Sequence, residues 1–207
     1  MMTPLEKARK DPNSMKAKIL SSARKQFGEY GFHGTTTRMI AKHAGIDIST
    51  LYYHWGEKSE LYEAVILDIN DGLQAKLIEV EKKVKGLPLA ERMEIAIDRM
   101  VDYLFDYPEI ANLTMFQYFT RTRHEISVDS RLSDFISNIA FSMGLADDRE
   151  TVPTEAKMKV LAVTNSIYNF VTGERLFMPM LTVGRRAYID QVKETLKFYH
   201  VAPYAVR

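Results

Sequence analysis

The feature that most constrains this chain is a long apolar stripe: Leu61, Val65, Ile69, Leu73, Leu77, Val80 and Val84 recur every three or four residues. That spacing marks one face of a helix. With Gly86 and Pro88 beyond it, the stripe predicts a helix over 58–85, about 40 Å long at ~1.5 Å per residue. The same period appears wherever the chain is apolar. Leu20, Ala23, Phe27 and Tyr30 share a face before Gly31 and Gly34, and Ile97, Met100, Val101 and Leu104 share another within 89–106. Pro108 stands where a first helical residue favours proline, opening a helix to about 120. Further helices are expected over 131–143, 154–176 and 185–200, punctuated by Gly144, Pro153, Pro179 and Gly184. No segment alternates with period two between turn signals, so no sheet is expected. The fold class is all-α, with about nine helices.

Two of these are short. Residues 37–44 and 48–54 flank Gly45-Ile46-Asp47, the proportions of a helix-turn-helix. Ile40, Ala41, Ala44, Ile46 and Leu51 would close its small core, with alanines allowing close crossing. Gly45 suits the left-handed conformation at a helix end, and Asp47 is placed to cap the second helix. Its outward positions are Ser49, Thr50, Tyr52, Tyr53 and His54, hydroxyls first and aromatic donors after. Short hydroxyls can approach base edges, and the larger donors can bond phosphates.

Charge separates along the chain in the same way. The whole sequence has a net charge of +1, yet residues 1–55 carry nine positive and four negative side chains, a net of +5. The remainder carries −4. Asymmetry of this kind points toward a polyanionic partner. Residues 1–13, with Pro4 and Pro12 and no periodicity, read as a flexible tail.

The stretch TTTRMIAKHAGIDISTLYYHWGEKSELYEAV, Thr35 to Val65, resembles the DNA-binding domain of the tetracycline-repressor (TetR) family of bacterial regulators. LYYHWGEKSEL is similar to that family's signature of an aromatic run followed by a lysine. Motif-level similarity covers about residues 15–66; beyond them it is architectural, although YPEIANL also has the family's look. The resemblance implies that Thr36 caps the first motif helix, with Thr37 and Arg38 near the DNA backbone. It puts Ser49, Thr50 and Tyr53 toward the major groove, Tyr52 and His54 on phosphates or bases, and Lys58 on a phosphate. Trp55 takes the family's phenylalanine position and is expected to pack. Two positions depart from the pattern. Met39 stands where a capping-box acid would be, and Ile48 stands where the family often has a polar residue. If exposed, Ile48 can read a thymine methyl; it is expected to pack.

The implied organisation is a tail (1–13), a three-helix DNA-binding domain (14–57), and a helical effector-binding and dimerisation domain (58–207). In the body, Met115, Phe119, Asn165 and Tyr168 are candidates for lining an effector cavity, against the plainer reading of a filled core. Arg121, Arg123 and His124 could anchor an acidic ligand or form a solvated loop. The last two helices look apolar on more than one side: Val160, Val163, Ile167 and Val171 against Leu161, Tyr168 and Thr172, then Tyr188, Val192, Leu196 and Tyr199. Two faces to bury suit a homodimer through those helices.

The expected function is a repressor released from a palindromic double-stranded operator by an unidentified small-molecule effector. The alternatives are an architectural or division-type DNA-binding protein without an effector and, remotely, an all-α enzyme. The absence of cysteine excludes disulfides, thiolate zinc sites and a thiol nucleophile. Five histidines show no metal-ligand spacing, and the acid pair Asp147-Asp148 reads as surface charge. No catalytic residue, cofactor or metal is expected. No apolar run approaches a membrane span and no signal-like stretch is seen, so a cytoplasmic protein is expected.

Overall fold

The computed structural model describes residues 2–119 and 128–201, with the backbone alone for Phe119 and for residues 128–133. Among these residues there are eleven helices and no strand: α1 (Pro4–Lys10), α2 (Met15–Gly34), α3 (Thr37–Ala44), α4 (Ile48–Trp55), α5 (Lys58–Val84), α6 (Leu89–Asp106), α7 (Pro108–Phe119), α8 (Val128–Ser142), α9 (Thr154–Thr172), α10 (Glu174–Leu181) and α11 (Arg185–His200). The all-α class holds; the two helices beyond the expected nine are α1 and α10. No helix among the described residues is long and apolar enough to cross a membrane.

The chain divides into two compact units, Met1–Leu73 and Gln74–Arg207. The division falls inside α5, whereas the sequence reading put the domain boundary at its start. Leu61, Val65, Ile69 and Leu73 are buried in the first unit; Val80 and Val84 are buried in the second.

In the first unit α2 packs against α1, α3 and α4. Ile19, Ala23, Phe27, Ile40 and Leu51 are fully enclosed. Tyr30, placed on the inner face by its spacing, is 45% exposed. It stands at the end of that helical run, next to the kink at Gly31, where φ is 67° and ψ 177°. The segment read as a flexible tail is corrected as well. Thr3 and Glu6 form a reciprocal capping box around Pro4, and Ala8 is buried. Arg9 then ties α1 to α5 through Asp68 at 3.0 Å and Asp71 at 2.9 Å.

In the second unit α9 is the central helix, packing against α6, α7, α8, α10 and α11. Tyr188, Val192 and Leu196 of α11 are buried within the unit, the Tyr188 hydroxyl donating to the Phe170 carbonyl at 2.9 Å. Tyr199, grouped with them by sequence, is 67% exposed. The helix expected over 154–176 breaks at Gly173, where φ is −82° and ψ 2°. Pro179 lies inside α10 rather than between helices. Asp148 does not belong to any acid cluster; its carboxylate accepts the Glu150 and Thr151 amides at 2.7 Å and fixes a turn.

Candidate nucleic-acid interface

The turn between α3 and α4 is built by local chemistry. Thr36 accepts the Met39 amide at 3.2 Å, satisfying one unpaired donor at the start of α3. Gly45 ends that helix at φ 64°, ψ 42°, while the Ile46 amide reaches back to the Ala41 carbonyl at 3.0 Å. Asp47 takes the N-cap position of α4 with its backbone; its carboxylate makes no capping bond, which departs from the sequence reading.

The orientation of α4 is set from beneath and from its end. Leu51 is completely buried and Trp55 is 5% exposed, so the tryptophan packs as expected. Its Nε1 donates to the Lys16 carbonyl at 3.1 Å. Lys16 in turn donates from Nζ to the His54 carbonyl at 2.6 Å, completing the helix C-terminus. Sequence reasoning missed this role of Lys16, because only the fold brings α2 to the end of α4. It also missed Thr35, which is buried and shares its hydroxyl between the carbonyls of Gln26 and Gly31, at 2.9 and 2.8 Å.

With its inner face fixed, α4 presents Ser49, Tyr52 and Tyr53 to solvent, Tyr53 being 85% exposed, while Thr50 and His54 are half-buried. The Tyr52 hydroxyl lies 3.5 Å from that of Thr37, joining the outward edges of α3 and α4. Arg38 is exposed and has no ion-pair partner among the described residues. Ile48 is 39% exposed rather than fully tucked in, while Leu51 and Trp55 form the buried face of α4. Lys58 is used differently from expectation. Its Nζ donates to the Phe32 and Thr35 carbonyls at 3.0 Å each and sits 4.2 Å from the centre of the Phe32 ring, leaving one of three donors. Burial, then the charge of Lys16, holds the His54 imidazole below its ordinary pKa. It is therefore a neutral donor at neutral pH.

In the second unit the proposed ligand residues are only partly gathered. Asn165 is exposed and accepts from the Tyr118 hydroxyl at 3.2 Å. Tyr168 on the same helix is 7% exposed, and burial pushes both phenols up. Met115 is half-buried on α7. The Phe119 side chain, Arg121, Arg123 and His124 lie outside the described residues. Asn112 Oδ1, also on α7, is buried without a hydrogen-bond partner. A groove of about 450 Å³ lies elsewhere, between α6 and α11, walled by Asp98, Arg99, Asp102, Lys193 and Lys197. Met115, Asn165 and Tyr168 do not line it.

A short helix held by a glycine turn across another, with polar tips outward and no carboxylate of its own, defines a helix-turn-helix protein. Residues 19–65 match the family model of bacterial regulatory proteins, tetR family. Over that module the chain is similar to the TetR family of transcriptional regulators. An HTH-type transcriptional repressor of Streptomyces coelicolor is 29% identical over 110 residues, 53% of this chain and 53% of its own length. The HTH-type transcriptional regulator RutR of Escherichia coli is 32% identical over 104 residues, 49% of this chain and 46% of its own. The chain thus spans about half the length of these curated relatives. Solved structures extend the fold likeness further. A TetR-like transcriptional regulator from Rhodococcus sp. RHA1 aligns with TM-score 0.60 and 20% identity over 91% of this chain and 96% of its own. The fatty acid degradation regulator FadR from Bacillus halodurans aligns with TM-score 0.62 and 15% identity over 90% and 96%.

Proposed function

We propose that this chain is a two-fold DNA-binding transcriptional regulator, a repressor that leaves a palindromic operator when a small molecule binds its body. The observation that carries the reading is the outward face of α4, where Ser49, Tyr52 and Tyr53 are exposed on a helix locked by Leu51, Trp55 and Lys16. Ser49, Thr50 and Tyr53 meet base edges. Thr36, Thr37, Arg38, Tyr52, His54 and the remaining donor of Lys58 meet the phosphates.

Dimerisation runs through α9 and α11. Met158, Phe198 and Tyr199 are 59%, 70% and 67% exposed there, apolar area that a second copy would cover. The effector binds between α7, whose buried Asn112 oxygen lacks a donor, and α9, where Tyr168 lies enclosed. An unmade hydrogen bond of this kind costs free energy that a ligand donor recovers. The effector must favour the DNA-incompetent state, or it shifts nothing.

Footprinting of the full chain on genomic fragments tests the reading. Expected is a symmetric protected site with half-sites about 34–36 Å apart, lost on adding the compound that raises the protein's melting temperature. Protection without sequence preference would overturn the regulator reading, and operator release by no stabilising compound would overturn the effector.

A further inference from the structure

The bidentate pairings that identify guanine and adenine in the major groove require arginine, lysine, asparagine or glutamine. The helix α4, of sequence ISTLYYHW, has none of the four. Its hydroxyls discriminate little, since serine and threonine bond donors and acceptors alike. Tyr52 is already directed at Thr37. What remains at the N-terminal turn, the part of a recognition helix that meets base edges, is Ile48, 39% exposed, beside the exposed Ser49. Ile48 keeps more than a third of its surface in solvent while Leu51 and Trp55 form the buried face of α4. Among base edges in the major groove, the apolar feature is the C5-methyl group of thymine.

We propose that Ile48 is a specificity-determining residue that reads a thymine methyl group in each half-site. This rests on the DNA-binding reading above and adds to it what the helix recognises: a methyl surface rather than a donor–acceptor pattern.

The experiment starts from duplexes that the full chain selects out of a randomised double-stranded library. Each thymine of a selected duplex is then replaced by deoxyuridine, which removes the methyl group and keeps the base pair. At one position per half-site this should weaken binding about four-fold, the worth of one buried methyl group. Replacing both symmetric positions should weaken it about fifteen-fold, and other positions should not respond. Ile48→Ala should bind the thymine and uracil duplexes equally, and Ile48→Val should keep most of the discrimination. Wild-type protein indifferent to uracil everywhere would overturn the proposal without depending on the folding of any variant. Full discrimination by Ile48→Ala would overturn it too. Failure to select any duplex would overturn the DNA-binding reading and this one with it, whereas selected duplexes insensitive to uracil would overturn this one alone.

Discussion

Arg38 and Lys58 carry the same charge within one unit, yet the fold uses them in opposite ways. Arg38 is exposed and unpaired among the described residues, so removing it should leave stability within about 0.5 kcal/mol. If it neutralises one phosphate per half-site, Arg38→Ala should lower the salt-dependence slope of operator binding by about 1.8 for a two-fold dimer. Lys58 is bonded to two carbonyls and stacked on Phe32, so Lys58→Met should cost about 2 kcal/mol of stability. A thermal melt and a salt titration on both variants separate the two roles. An unchanged melting temperature for Lys58→Met would return that lysine to a purely DNA-facing part. Gly45 was legible as a turn from its local signal, whereas Thr36 as a cap and Trp55 as packing followed from the family resemblance. Sequence could not show Lys16 and Thr35 closing carbonyls, because those acceptors are paired only after folding. The exposure of Ile48 was illegible for the same reason, since how far it packs is decided only once α4 is seated.

The elements themselves were legible in proportion to their length and periodicity. The helices α3, α6 and α11 fall where the apolar spacing put them, whereas α1 and α10 did not show as separate helices. With only Ala8 buried, α1 has no stripe to see; its signal was instead Thr-Pro-Leu-Glu, a capping box around a proline at the first position. The helix α10 was hidden because apolar spacing runs on through Gly173. Two helix ends give opposite predictions from one physical cause. Gly45 has φ 64° with nothing within 4 Å of an added Cβ, so Gly45→Ala isolates the backbone penalty and should destabilise by about 1 kcal/mol. Thr182 holds a similar conformation at the end of α10, φ 55° and ψ 41°, with a β-branched side chain poorly suited to it. Thr182→Gly should therefore stabilise, by up to about 1 kcal/mol once glycine's greater unfolded freedom is deducted. Paired urea titrations test the signs. Neutral outcomes at both positions would mean the turns relax away from these dihedrals.

For the whole molecule, the charge division read from sequence survives in altered form. Residues 1–55 carry +5, but the first compact unit runs on to Leu73 and takes in Glu57, Glu60, Glu63, Asp68 and Asp71 against Lys58, so it nets +1. Arg9 and Arg24 are spent on Asp68. The charge left for DNA lies on α3 (Arg38, Lys42) and the start of α2 rather than on α4, which has no charged residue; that favours modest non-specific affinity and would make the proposed dimer the main source of tight binding. The apolar exposure in the second unit fits that division of labour. Sequence saw a stripe on α11 in need of a partner, but Tyr188, Val192 and Leu196 are satisfied internally and Phe198 and Tyr199 are the residues left uncovered. Pocket walls were less legible still, because enclosure depends on packing between helices and not on spacing along one. Phe198→Glu would put a charge where a two-fold contact is proposed while touching no buried position. Sedimentation should then find wild-type protein at about twice 23.8 kDa and the variant at 23.8 kDa, with helical circular dichroism unchanged. Operator affinity should fall at least about 100-fold, because the second half-site is no longer bound as an intramolecular event. A wild-type monomer, or a Phe198→Glu variant still dimeric, would move the two-fold contact off α11.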